Sequence, residues 1–368
     1  MMKVLAVVPS IYDVSPGQRY RIEQWEPYLR GFGVEITYLP FETPELRQVL
    51  YKSGNSFGKV RAVVDGFRRR SAEMKSVRDF DLVYLFREAA LLGPAWFERK
   101  IAASGVPMIF DFDDAVFVPY RSPSNGYLSY LKFPGKTETS IRLSAHVMAG
   151  NAYLAEYSKK FNPNVTIVPT TIDTNVYTGA DDDIVNVIPV IGWSGSHSTM
   201  QHLETIREVL LELAGKHRYK LRVIGAPDFK LPGVDVDVIP WRAETEVVDL
   251  RPIDVGIMPL PDDRWTKGKC GLKALQYMAS GKATICSPVG VNTEIITEGE
   301  NGMLADGKDE WVEKLSRLLL DKDLRNKLGR AGRQTVVDRY SAEGNAPRVF
   351  EVFKSAVGLK ARNNNGRS

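Results

Sequence analysis

The chain has 368 residues, of which 43% are hydrophobic and 26% are charged, and its 49 basic and 45 acidic side chains give a net charge of +4. This composition excludes disordered, collagen-like and coiled-coil proteins, and the length favours two domains of roughly 150 residues or more each. The charge is too small for a dedicated nucleic-acid-binding protein. Two cysteines, the absence of long apolar runs and the absence of a leader pattern predict a soluble, cytoplasmic protein.

The first half predicts alternating strands and helices. Between its first two strands, Ile22, Trp25, Leu29 and Phe32 recur at helical spacing, and Pro27 predicts a kink or an early end of that helix. Short apolar runs predict strands at Lys3–Val8, Val34–Leu39, Leu82–Phe86, Pro107–Phe112 and Val165–Pro169.

A second series follows the acidic stretch at 181–183, which predicts a linker between domains 1–180 and 184–345. A helical face runs from Met200 to Leu213, another helix opens near Gly271, two more fill 309–339, and the last spans 346–358. Residues 359–368 predict a disordered tail. The strands of this half are predicted at Val187–Trp193, Leu221–Gly225, Asp235–Pro240, Val255–Leu260 and Ala283–Cys286.

This double alternation predicts an α/β protein with two doubly wound parallel sheets, and ligands that bind at the carboxyl ends of strands in the cleft between them. The first strand–helix turn, PSIYDVSPGQRYR, has no glycine before Gly17 and so disfavours a nicotinamide or flavin cofactor. Neither a P-loop nor a metal-ligand spacing is present, so we expect no cofactor and no metal. Gly17 and Gln18 could admit a phosphate or sugar, or form a plain turn.

The strongest signal is the segment from Arg264 to Gly290. Lys267, Lys269 and Lys273 cluster around the start of the helix near Gly271, where backbone N–H groups and positive charge favour an anion such as a diphosphate. Cys270, in the same loop, is interpreted as a small packing residue. The alternative is a solvated loop that carries lysines.

The stretch KCGLKALQYMASGKATICSPVGVNTEII, continued by EGENGMLA, resembles the donor-binding motif of family-4 glycosyltransferases of the GT-B fold. FDFDDAVF, VPTTIDTNVY and IGWSGSHST add likeness in the expected order. The resemblance implies two Rossmann-like domains facing across a cleft. It also implies a C-terminal helix that returns to the first domain, a nucleotide-sugar donor held by the second, and retention at the anomeric carbon without an obligatory metal.

The chain departs from the family motif at two positions that are glutamates there, Gly268 and Gln276. Gln276 can still hydrogen-bond ribose hydroxyls, and the three lysines can replace the charge of the family's missing basic residues. Trp241 is a candidate for stacking on the nucleobase, although packing is the commoner role of such a residue. Neutral donors to a phosphate are expected from Ser194, Gly195 and Ser196.

The acceptor would be bound by the first domain. Asp111, Asp113 and Asp114 end a predicted strand and are candidates for a base or for holding sugar hydroxyls, with a turn-capping role as the alternative. Mutual repulsion should raise the pKa of at least one of them. Arg19 and Arg21 are candidates for binding phosphates or an anionic acceptor, with placement on the surface as the alternative.

The stretch 52–78 holds eight basic and two acidic residues around a helical apolar face. It predicts either peripheral contact with an anionic membrane at its inner face or a solvated helix covering the first domain.

The sequence thus favours a retaining transferase that moves a hexose or deoxyhexose from a nucleotide-sugar to a saccharide or lipid-linked acceptor, in glycan or surface polysaccharide biosynthesis. The alternatives are a catalytically silent sugar-nucleotide-binding protein, a GT-B-fold epimerase, and a GT-A enzyme in which Asp111 and Asp113 form a metal-binding DxD motif.

Overall fold

A computed structural model describes residues 1–50, 56–119, 133–179, 186–196 and 199–365. The chain divides into two compact units, Met1–Pro169 with Asn345–Ser368, and Thr170–Gly344. The linker expected at 181–183 lies outside the described residues, and the division between the units follows Pro169.

The first unit is built on one six-stranded, wholly parallel sheet in the order β2-β1-β3-β4-β5-β6. Helices on both faces bury its strands on both sides, which is why runs such as Val4–Val8 are apolar at every position. The strands are β1 Met2–Val8, β2 Val34–Pro40, β3 Leu82–Phe86, β4 Met108–Phe112, β5 His146–Ala149 and β6 Val165–Ile167. The helices are α1 Pro16–Gln18, α2 Gln24–Gly31, α3 Pro44–Leu50, α4 Ser56–Glu73, α5 Trp96–Ala103, α6 Gly135–Leu143 and α7 Ala152–Lys159.

The second unit repeats the plan with a parallel sheet in the order β12-β11-β10-β7-β8-β9. Its core joins apolar side chains of the central strands to those of α9 and α13. The strands are β7 Val190–Ser194, β8 Lys220–Ile224, β9 Asp235–Ile239, β10 Val255–Met258, β11 Ala283–Cys286 and β12 Met303–Leu304. The helices are α8 Met200–Glu204, α9 Arg207–Lys216, α10 Glu246–Leu250, α11 Leu272–Ala279, α12 Asn292–Ile295, α13 Gly307–Leu320 and α14 Lys322–Tyr340.

The last helix, α15 Ala342–Asn365, packs on the first unit. Phe350 stacks on Phe32 with ring centroids 5.1 Å apart, and the buried Phe353 lies 6.1 Å from the ring of Tyr84. The helix continues to Asn365, whereas a disordered tail was expected over 359–368. Residues 366–368 lie outside the described part of the chain.

Each sheet has a point where the strand order reverses. In the first unit it lies between β1 and β3, and in the second between β7 and β10. Chains that leave two such strands turn to opposite faces of the sheet, which opens a crevice at the carboxyl ends where ligands bind. Gly17 follows β1, Gly195 follows β7 and the lysines follow β10, whereas Asp113 follows β4 and Trp241 follows β9. The expected cleft between the two domains stays a prediction.

Candidate functional site

Lysines and indole rings surround the start of α11 in the second unit. Gly271 has φ of 71°, and a β-carbon there would collide with the side chain of Ile295, so only glycine fits this tight entry into the helix. Lys269 Nζ lies 5.0 Å from the ring centroid of Trp265, and Lys273 Nζ lies 5.9 Å from that of Trp193. Both lysines are partly buried, so their positive charges lie against the indole rings in the segment that follows the switch-point strand β10.

The other predicted residues of this loop have local roles. Lys267 is more exposed and forms an ion pair with Asp262, with Nζ 3.0 Å from Oδ1. Cys270 is buried, in keeping with a packing role, and its Sγ lies 3.7 Å from the carbonyl oxygen of Gly268. The side chain of Asp263 accepts from the backbone N–H groups of Trp265 and Thr266, both at 2.8 Å, which fixes the turn that leads into the lysines.

In the loop at the end of β7, the backbone N–H groups that were expected to donate to a phosphate have acceptors within the protein. The N–H of Ser194 donates to Tyr277 Oη at 2.7 Å, that of Gly195 to the Ile224 carbonyl at 2.9 Å, and that of Ser196 to Thr199 Oγ1 at 3.0 Å. These three amides are therefore committed inside the unit. The expected neutral donors to a phosphate reduce to the serine hydroxyls.

A buried network surrounds Gln276. Its Nε2 donates to Tyr177 Oη at 2.9 Å and to Glu246 Oε1 at 3.0 Å, and the same carboxylate oxygen accepts from Trp241 Nε1 at 3.0 Å. Glu246, at the start of α10, thus places a carboxylate beside the amide of Gln276. The sequence does not predict the role of Glu246, because its partner Gln276 lies 30 residues away and no local motif links the two residues.

In the first unit, Gly17 lies against an ion pair at the switch point. Asp113 Oδ1 accepts from Arg87 Nε at 2.7 Å and from Nη2 at 2.6 Å, and a β-carbon at Gly17 would lie 2.8 Å from that Nη2. Arg87, whose backbone is left-handed with φ of 56°, was also missed, because its partner Asp113 lies 26 residues away in the sequence. Nearby in sequence, Arg19 pairs with Asp13 at 2.7 Å.

Asp111 and Arg21 form a fully buried ion pair, which corrects their expected contact with substrate. Arg21 Nε donates to Asp111 Oδ2 at 2.9 Å, Nη2 donates to Oδ1, and Nη1 donates to the Val168 carbonyl at 2.5 Å. Tyr84 donates to the same carboxylate. Burial raises the pKa of Asp111, and the ion pair with Arg21 opposes this increase. Repulsion from Asp113 also raises the pKa, but by less than burial does.

Gln18 is likewise fully buried, which corrects its placement on a ligand. It accepts from the Ser10 N–H at 3.2 Å and donates to the Ser10 carbonyl at 3.0 Å and to Glu23 Oε1 at 2.6 Å. Asp114 accepts from the Ala115 N–H at 3.0 Å, which is the capping role considered as its alternative.

The second unit matches a known family. Residues 193–335 match the family model described as Glycosyl transferases group 1. A stretch of 117 residues is 31% identical to the D-inositol 3-phosphate glycosyltransferase of Corynebacterium urealyticum, covering 31% of this chain and 26% of that protein. The chain thus aligns with about a quarter of that relative's length.

Solved structures resemble nearly the whole chain. Sucrose-phosphate synthase from Thermosynechococcus elongatus matches with a TM-score of 0.68 at 13% identity, over 98% of this chain and 100% of that one. A glycosyltransferase from Rickettsia africae gives 0.67 at 13% identity, over 97% and 98%. Anabaena HepE in complex with UDP-glucose gives 0.65 at 13% identity, over 96% and 100%.

These findings confirm the resemblance seen in the sequence. The chain has the GT-B fold, and its residues 193–335 have the sequence of a group 1 glycosyltransferase domain. The GT-A alternative is wrong, because two separate parallel sheets are present. Among the described residues, no helix combines the length and apolar composition needed to cross a bilayer.

Proposed function

We propose that this protein is a retaining glycosyltransferase that moves a hexose or deoxyhexose from a nucleotide-sugar to a saccharide or lipid-linked acceptor in glycan or surface polysaccharide synthesis. It acts in the cytoplasm and requires no metal. The observation that carries the proposal is the cationic, indole-lined entry of α11 at the switch point of the unit that matches the family model. A uridine nucleotide is the first donor to test, since Anabaena HepE was solved with UDP-glucose.

The donor's diphosphate is assigned to the loop before α11. Breaking the bond between the anomeric carbon and phosphate oxygen places negative charge on the leaving diphosphate. Positive groups fixed in advance at that position stabilise the transition state more than the ground state. Lys269 and Lys273 meet this requirement, because their ammonium groups are held over indole faces.

The nucleoside is assigned to the network around Gln276. The carboxylate of Glu246 offers acceptors for the ribose hydroxyls, and Gln276 fixes that carboxylate by donating to it. Trp241 offers an indole face to a base. The hydrogen bond from Trp241 Nε1 to Glu246 fixes the ring relative to the carboxylate. A nucleoside bound there would therefore meet groups whose positions are already set.

The acceptor is assigned to the switch point of the first unit. Asp113 is the carboxylate for an acceptor hydroxyl, and Arg87 orients it by donating twice to one of its oxygens. Asp114 follows Asp113 in the chain, and Arg19 lies two residues after Gly17, which packs against the Arg87–Asp113 pair. Asp111, buried beneath them, acts only by anchoring Arg21.

A product assay tests the proposal. The purified protein is incubated with a panel of nucleoside diphosphate sugars and candidate acceptors, with chelator present, and products are identified by mass spectrometry and anomeric NMR. Acceptor-dependent glycoside with the donor's anomeric configuration is expected. Conversion of the donor sugar without acceptor would instead indicate an epimerase, and nucleotide binding with no product would indicate a silent binding protein.

Binding is measured in parallel by thermal shift, because a ligand at a hundred times its Kd adds about 2.7 kcal/mol to stability. Glu246→Ala is expected to weaken nucleotide binding, whereas Glu208→Ala, on the exposed side of α9, is expected to leave it unchanged. Equal affinity of both variants would remove Glu246 from the site.

A further inference from the structure

An apolar groove of about 940 Å³ lies in the first unit between α4, α5 and the turn that precedes α5. This volume falls within the range of ligand pockets, roughly 300–1,000 Å³. Side chains of both helices and of the flanking turns line it, among them Val63, Phe67, Leu92, Trp96, Phe97 and Phe133. The groove belongs to neither switch point, and the donor and acceptor residues assigned above do not line it.

Aromatic side chains that pack against one another form the walls of the groove. Phe67 lies 6.0 Å from Trp96 and 5.6 Å from both Phe97 and Phe41, centroid to centroid. Gly93 has φ of 82°, and a β-carbon there would lie 3.1 Å from the Trp96 ring, so the turn leaves room for the indole. Trp96 nevertheless keeps 55% of its surface exposed, which is costly unless an apolar partner covers it.

The rim of the groove is cationic. Arg68, Arg99 and Lys100 line it, and all three are exposed, Arg68 to 80% of its side chain. Asp65 is an acid on the same stretch of α4, 3.7 Å from Arg68. Positive charge therefore surrounds an apolar floor.

The run of three arginines at 68–70 divides between two tasks. Arg69 donates to the carbonyls of Pro40 and Phe41, and the buried Arg70 donates to those of Leu39 and Val8, so both fasten α4 to the end of the first strands. Only Arg68 faces outward. The basic surface expected over 52–78 therefore includes fewer cations than the sequence suggests, because Arg69 and Arg70 are bonded inside the unit. Residues 52–55 lie outside the described part of the chain.

We propose that this groove is a membrane-docking site that takes the hydrocarbon chains of an anionic lipid surface. Apolar side chains enter the acyl layer, and Arg68, Arg99 and Lys100 meet the phosphates at its edge. Tryptophan suits this boundary, because its ring is apolar and its N–H can remain wet. The proposal stands apart from glycosyl transfer, since it requires neither donor nor acceptor binding.

Vesicle sedimentation tests the docking. Vesicles of phosphatidylcholine alone are compared with vesicles that contain 30% phosphatidylglycerol, at low and at high salt. The full-length protein is expected to bind the anionic vesicles and to be released by salt, because each basic residue near such a surface contributes about fivefold to binding. Trp96→Ser is expected to reduce binding about tenfold, whereas Leu320→Ser, which removes an exposed apolar side chain of the second unit, is expected to have no effect.

A quenching measurement separates insertion from adsorption. Lipids brominated on their acyl chains are expected to quench the fluorescence of the wild-type protein, and Trp96→Phe is expected to bind with most of that quenching lost. Arg68→Glu should weaken binding to anionic vesicles more than Arg330→Glu, an equal charge change on the exposed side of α14.

Three results would overturn the proposal: no binding to anionic vesicles at low salt, binding that Trp96→Ser leaves intact, or quenching that does not depend on Trp96. A concentration-dependent dimer that Trp96→Ser abolishes, without vesicle binding, would assign the groove to a second copy of the chain and would also overturn it. None of these outcomes depends on whether a sugar is transferred.

Discussion

At the scale of single residues, Lys269 and Lys273 carry the chemistry proposed for the donor site. We expect Lys269→Ala and Lys273→Ala each to lower turnover about a hundredfold, the typical cost of removing one charge-stabilising donor, ~2.7–4 kcal/mol. Steady-state kinetics with the donor found in the product assay measures this. Lys220→Ala, at the amino end of β8 and exposed, should leave turnover unchanged. Variants of both site lysines that keep more than half of the turnover would place the diphosphate elsewhere.

Glu23 gives the first unit a pH-dependent stability. Burial raises the pKa of this carboxyl from 4.5 to about 7, against the hydrogen bonds from Gln18 and Asp13. Between these two values the folded state holds a proton that the unfolded state has lost, so stability falls as the pH rises from 4.5 to 7 and is constant above. The full effect is on the order of 3 kcal/mol, at 1.36 kcal/mol per pKa unit.

We therefore expect the melting temperature of the wild type, relative to that of Glu23→Gln, to fall between pH 5 and pH 8. Scanning calorimetry of both proteins in matched buffers measures the difference. A difference that is constant across this range, or that grows with pH, would show that the folded carboxyl titrates at its ordinary value.

The sequence predicted the residues of this site only where the signal is local. The Lys267–Gln276 segment could be read because its lysines, glycines and helix start lie within ten residues of one another. Glu246 and Arg87 could not, since their roles come from partners 30 and 26 residues away. Asp111 and Arg21 were expected at the substrate for a related reason. Asp111 lies in a strand that is buried on both faces, and its charge is neutralised by Arg21, which is 90 residues away in the sequence.

At the scale of elements, most strands followed from continuous apolar runs. The two that did not, β5 and β12, have four and two residues and hold their places by pairing with β4 and β11. The break expected at Pro27 also lies elsewhere. Helix α2 runs through Pro27, and the distortion falls at Arg21, with φ of −121° and ψ of −115°, inside a π-helical turn that the buried ion pair with Asp111 holds in place.

One hydrogen bond couples α11 to the end of β7. Tyr277 is fully buried on α11, and its hydroxyl accepts from the N–H of Ser194, the last residue of the strand. Tyr277→Phe leaves that amide without a partner, which typically costs about 1–3 kcal/mol. We expect reduced stability together with nucleotide binding weakened about fivefold, as for ~1 kcal/mol of lost positioning.

Tyr219→Phe is the matched control. Its hydroxyl is also buried and donates to the Leu210 carbonyl at 2.7 Å, but this bond joins the residue before β8 to α9, away from the candidate site. It should lower the melting temperature to a similar extent and leave nucleotide affinity intact. Calorimetry and nucleotide titration on both variants decide the matter, and parallel losses of affinity would mean that Tyr277 acts only through general stability.

At the scale of the whole molecule, the path of the chain makes the last helix part of the first unit. The chain leaves that unit after Pro169, forms the second unit, and returns with α15. Its buried side chains include Val349, Val352, Phe353 and Ala356. At roughly 1.5–3 kcal/mol for each large apolar side chain, this burial is comparable with the whole stability of a domain, about 5–15 kcal/mol.

Removal of residues 345–368 should therefore unfold or loosen the first unit while the second remains folded. Hydrogen exchange is expected to accelerate in β1 and β3, since Phe353 packs against Tyr84 of β3, and to stay slow in β7 and β10. Phe353→Ala should give a milder form of the same pattern, because a buried Phe→Ala change costs about 3–5 kcal/mol. Exchange that rises equally in all four strands would show that the two units unfold together, and exchange that is unchanged in β1 would show that α15 is dispensable to the unit it joins.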